Sequence, residues 1–133
     1  VNDDGSTQHR IDALNTIPRN SFAKVITEQI PVDEFYREVK AHKFTLALAG
    51  CGADASRQWS AIQLGSIPIV TDCVEMRHFE DMPMVYCPLR ITEDITPEWL
   101  GKMAESVKGK STERIRMSYW ANHLANKRQE CGI

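Results

Sequence analysis

The residues able to do chemistry gather between Lys43 and Asp72, in KFTLALAGCGADASRQWSAIQLGSIPIVTD. Gly50 and Gly52 flank Cys51, and glycine lets the backbone turn tightly because it has no Cβ to clash. Where such a turn opens a helix, N–H groups without helical partners point outward and the helix dipole is positive. That is a seat for an anion, phosphate above all. Arg57 lies one turn into the same helix and can add a fork of charged donors. Asp54 is placed to cap the helix. Asp72 and Glu75 follow a second apolar run, at the carboxyl end of a parallel strand, where open α/β sheets bind ligands. Both are candidates for a sugar or ribose hydroxyl. No Walker A lysine pattern and no full Gly-x-Gly-x-x-Gly is present. Spacing alone therefore leaves a second reading open: a tight βα turn with Arg57, Asp72 and Glu75 solvated.

Cys51 has its own chemistry, since a helix N-terminus lowers a thiol pKa. No histidine stands near it in sequence to act as its base. Cys73 and Cys87 lie by expected strands, where free cysteine behaves as a small apolar residue. The four cysteines and four histidines make no C-x-x-C pair and no zinc spacing, so no metal site is expected. Reduced thiols suit a reducing compartment, and a cytoplasmic location is the expectation.

Positioning these residues requires strand, turn, helix, strand. Phe44 to Ala49 is a short apolar run of the buried-strand kind. A helix follows from about Ala55 to Leu64, Gly65 suits its left-handed stop, and Ile67 to Val70 is the second strand. Strand, crossover helix and strand at this length form a parallel βαβ unit. Pro68 has no N–H for a ladder, so it is expected at the strand's start.

Upstream, Ser6 or Thr7 can cap a short helix over His9–Thr16, with Ile11 and Leu14 toward a core. Phe22 to Thr27 reads as a strand. Asp33 can cap the next helix, whose Phe35, Val39 and His42 form an amphipathic stripe. Downstream, Met76 to Asp81 reads as a helical turn and Met84 to Cys87 as a strand. Thr96-Pro97-Glu98 starts a helix that Gly109 stops. The last helix opens at Ser111 or Thr112 and runs to about Gln129. Its Met117, Trp120, Ala121, Leu124 and Ala125 recur at core-facing spacing. Alternating strands and helices make an α/β fold: a Rossmann-like three-layer sandwich with a mostly parallel sheet, in a single domain over residues 1–133.

The chain has 133 residues and a formal charge of −2, which gives no global pull toward nucleic acid or anionic membrane. No apolar run approaches a membrane span. The chain begins at Val1 rather than methionine, and the expectation is a fragment, a processed chain or an excised domain.

The central stretch resembles the donor-binding half of exostosin-like glycosyltransferases. The likeness rests on Phe44, Gly50, Gly52, Arg57, Trp59, Ala61, Gly65, Ile67, Pro68 and Val70. It extends to Phe79–Pro83, to Ile95–Leu100 and to Gly5–Arg10. The resemblance implies a GT-B enzyme of two Rossmann-like lobes, of which this chain is similar to the C-terminal one. It implies a nucleoside-diphosphate sugar as donor substrate and no cofactor. Gly50 and Gly52 would then bring N–H groups to the diphosphate. Arg57 would neutralise the leaving group, a metal-free electrostatic stabilisation, and Arg10 would assist. The missing partner is an N-terminal acceptor domain or, failing that, a second copy across an exposed apolar face. Ser60 stands where the family has a glutamate for ribose or sugar hydroxyls. A non-catalytic binding module with a degenerate site is therefore the alternative, and a redox or acyl-transfer protein using Cys51 is a third.

Overall fold

A computed structural model describes residues 11–15, 17, 22–49 and 56–132. Its centre is a three-stranded parallel sheet: β1 (Phe44–Ala47), β2 (Ile67–Val70) and β3 (Val85–Tyr86), in the order β1-β2-β3. Helices α3 (Ser56–Gln63) and α4 (Val74–Arg77) make the two crossovers. Residues 11–15 form α1. The other helices are α2 (Val32–Ala41), α5 (Ile91–Asp94), α6 (Pro97–Val107) and α7 (Met117–Glu130), with a 3-10 turn at Glu113–Ile115.

Side chains alternate across a strand, and the alternation builds two cores. Leu48, Ile69 and Cys87 join Ala13, Ile91 and Ile95 on one face, with half-buried Trp99 and Leu100 of α6 against them. Ala47 and Val70 join Ile62, Met76, Met82 and Met84 on the other, with half-buried Trp59 and Phe79. The molecule is therefore the expected three-layer α/β sandwich in one small domain.

Pro68 sits inside β2, the central strand, and not at its first residue. The ladder explains how. Ile67 N–H donates to Lys43 O, so Ile67 and Ile69 turn their polar groups toward β1, and Pro68 faces β3. Pairing with β3 starts only at Ile69↔Val85. The missing N–H falls where no strand asks for it. Gly65 and Gly109 stop their helices with φ of 83° and 82°, as glycine permits. Thr96 caps α6 as expected, its Oγ1 accepting from Trp99 N–H at 3.1 Å.

Other expectations fail. Phe22–Thr27 is not a strand: Phe22 lies in a turn and residues 23–27 have no regular structure. Among the described residues, no backbone ladder joins it to β1. Its Lys24 instead pairs with Glu38 of α2 at 2.7 Å. In α1, Ala13 is the buried residue, while Ile11 and Leu14 are exposed. Pro31, not Asp33, precedes α2; Asp33 lies in its first turn and pairs with Arg37. The helix α5 was not expected. The last helix starts at Met117, after the 3-10 turn, and none of its residues is buried. Met117 is 83% and Leu124 63% exposed. Among the described residues, α1, α5 and α6 pack on one sheet face and α3 and α4 on the other, and α7 adds no residue to either core. It is fastened by Arg114 instead. That guanidinium donates to Asp81 Oδ1 at 2.6 Å and His78 O at 3.0 Å and stacks near Phe79 and Trp120. Trp120 Nε1 donates back to Arg114 O at 2.7 Å.

Met76 is fully buried between α3 and the sheet. Met76→Ala is expected to lower unfolding stability by about 2–5 kcal/mol, measured by urea denaturation. An exposed residue such as Val74, cut back to Ala, is expected to change it by no more than about 0.5 kcal/mol.

Candidate functional site

The carboxyl ends of the three strands form one rim, and the chemistry lies along it. Polar groups of β1 alternate: residues 43, 45 and 47 face β2, and residues 44, 46 and 48 face outward. Arg57 stands on the exposed side of the first turn of α3. Its Nη2 donates to the outward carbonyl of Leu48 at 3.2 Å. The helix thus directs this guanidinium back to the strand end that leads into the Gly50–Gly52 stretch. On the inner side, Ala49 N–H donates to Thr71 Oγ1 at 2.8 Å. β2 has ended at Val70, so a side chain continues the ladder there.

At the end of β2, Asp72 accepts both Nε and Nη2 of Arg77 at 2.8 Å each. The Arg77 guanidinium lies 3.8 Å from the Tyr86 ring centroid, and Tyr86 O–H donates to Met76 O at 2.9 Å. Hydrogen bonding from Arg77 holds the Asp72 carboxyl below its ordinary value; burial opposes it, and the charge of Arg77 adds a smaller lowering. Asp72 is thus engaged with a side chain of its own chain. Glu75 is exposed at the start of α4. Its own backbone N–H, then the Cys73 thiol, lower its pKa. Burial raises the Cys73 thiol. Ser60 is half-buried in the middle of α3.

Of the residues expected from sequence, the structure brings Arg57, Asp72 and Glu75 to the same end of the sheet. Arg10, Gly50, Cys51, Gly52 and Asp54 lie outside the described residues. Sequence reasoning passed over Thr71 and Arg77. The signal for Arg77 was an acid and a base five residues apart across a strand-to-helix turn. Thr71 carried no signal until the register of β1 against β2 was known.

Among the described residues, a cavity of about 420 Å³ lies beside β1 rather than over the rim. Its walls are mainly apolar, including Phe22, Phe35, Phe44 and Leu46, and Arg57 is where it meets the rim. No group of three or more His, Cys, Asp or Glu side chains among the described residues is arranged to hold a metal ion. No described helix is long and apolar enough to cross a membrane. In comparison with known proteins, the chain matches no family model and no curated protein.

Two outcomes follow from the rim. Asp72 has a depressed pKa in the folded state, so its pairing stabilises above the ordinary carboxylate value of about 3.9 and is lost as pH falls through the lower folded value. Asp72→Asn is expected to cost at most about 1 kcal/mol at pH 7, because both partners are half exposed. The difference from wild type should vanish in denaturation curves taken below the folded-state value. Burial pushes the Cys87 thiol up to about 12, while Cys131 is exposed. A thiol reagent at pH 8 should modify Cys131 promptly and Cys87 only after unfolding, read by mass spectrometry.

Proposed function

We propose that this chain is the donor-nucleotide domain of a glycosyltransferase, binding a nucleoside-diphosphate sugar for metal-independent transfer. The observation that supports it most is the bond from Arg57 to Leu48 O. It holds the Arg57 guanidinium at the carboxyl end of β1, the side on which the proposed anion seat would lie. In the proposed reaction, the bond between the sugar's anomeric carbon and the diphosphate oxygen breaks. A bond from acceptor oxygen to that carbon forms, and a base outside the described residues takes the acceptor proton. Negative charge grows on the departing diphosphate. Arg57 stabilises it by charge-assisted hydrogen bonds, with Arg10 assisting and the N–H groups of Gly50 and Gly52 contributing backbone donors. Asp54, expected from the sequence as the cap of this helix, would belong to the same seat. Asp72 and Glu75 stand where sugar or ribose hydroxyls would lie. Asp72 would have to exchange one Arg77 donor for a hydroxyl. The acceptor site belongs to a companion domain or to a second copy.

A second reading, a binding module without turnover, is favoured by Ser60. Its short neutral side chain reaches a hydroxyl less well than a glutamate does. Replacing Ser60 by Glu would then raise donor affinity, and unchanged affinity counts against that reading.

Calorimetry with pyrophosphate, nucleosides, nucleoside diphosphates and their sugars tests the main proposal. Wild type is expected to bind the diphosphates. Arg57→Ala should weaken diphosphate more than nucleoside, by roughly 1.5–3 kcal/mol. Failure of wild type to bind any of the panel, or indifference to Arg57→Ala, rejects it.

A further inference from the structure

One peptide unit, that between Leu48 and Ala49, is gripped from both sides. Its C=O accepts from Arg57 Nη2 at 3.2 Å, and its N–H donates to Thr71 Oγ1 at 2.8 Å. A peptide is planar and trans, so its N–H and C=O point oppositely, one toward β2 and one toward Arg57. Whatever fixes the N–H fixes the direction of the carbonyl. Thr71 is the group that fixes it. β2 stops at Val70, and among the described residues no backbone group takes the Ala49 N–H. Ala49 is buried, 8% exposed, so water is a poor substitute for the missing ladder partner. Hydrogen bonds arranged in a chain also polarise one another, which strengthens the Leu48 carbonyl as an acceptor.

We propose that Thr71 is a positioning residue for Arg57: acting through the Leu48–Ala49 peptide, it holds the carbonyl that aims the guanidinium at a diphosphate. This rests on the reading of Arg57 as the anion-binding group. Thr71 itself touches no ligand in this account. It sets where Arg57 waits.

The test is a double-mutant cycle in pyrophosphate binding, measured by calorimetry, with Thr71→Val, Arg57→Ala and the two combined. Thr71→Val keeps the shape of the side chain and removes the acceptor. It is expected to weaken pyrophosphate about three- to tenfold, a span set by the loss of a single hydrogen bond. Thr71→Ser keeps the hydroxyl and should bind within twofold of wild type. In the Arg57→Ala background, Thr71→Val should cause no further loss. Thr71→Ala carries the same expectations and replaces Thr71→Val if that variant folds poorly. A role confined to stability would instead lower thermal midpoint and affinity alike in both backgrounds. Wild-type affinity in Thr71→Val, equal losses in both backgrounds, or a Thr71→Ser variant as weak as Thr71→Val overturns the assignment alone. A wild type that binds no pyrophosphate overturns the Arg57 reading and this assignment with it.

Discussion

The structure depends on β2 being paired on both edges and covered on both faces. Four residues, Ile67 to Val70, take β1 on one side and β3 on the other. Pro68, Ile69 and Val70 are buried. A strand in this position has no solvent-facing side, which is why it reads as a continuous apolar run and not as an alternating one. Its register places each neighbouring strand end, and so decides which side chains share the rim. A slip by one residue would exchange the two cores, setting Ile69 among the methionines and Val70 against α5 and α6.

From that register the rim follows. Arg57 is local to α3, 9 residues after Leu48 at the exit of β1, and Thr71 is at the exit of β2, 22 residues after Ala49. They meet because a parallel crossover returns the second strand beside the first with both carboxyl ends together. Asp72, Arg77 and Tyr86 repeat the pattern one strand further along, with a guanidinium again bridging a strand end and its following helix. Two arginines at the sheet end, Arg57 and Arg77, thus have their directions set by acceptors of the chain itself.

The βαβ centre was legible in the sequence because its signals are strong and local. Apolar runs, a glycine stop and a Thr-Pro-Glu start each have one physical meaning. What escaped depended on partners distant in sequence. Phe22–Thr27 has the composition of a strand, yet among the described residues no ladder takes it up. Ile11 and Leu14 are larger than Ala13, but α1 brings its smallest residue against the sheet. The stripe on α7 has core spacing, and spacing cannot reveal that the sheet faces are already taken. At the site, Arg57 could be singled out by its place in the first helical turn, and Asp72 and Glu75 by following a strand. Thr71 could not, because its part depends on a register that no local pattern encodes.

The attachment of α7 also bears on how the molecule comes apart. A helix of 14 residues with no buried member has little intrinsic stability in water, and one arginine carries much of its anchorage. Its opening free energy is therefore set at the Arg114 joint and not by the methionine-rich layer beneath. Amide protons along α7 are therefore expected to exchange through fraying that leaves the sheet intact, and those on β2 only when the sheet itself opens. Among the described residues, the 3-10 turn is thus the joint at which α7 would part from the sheet first.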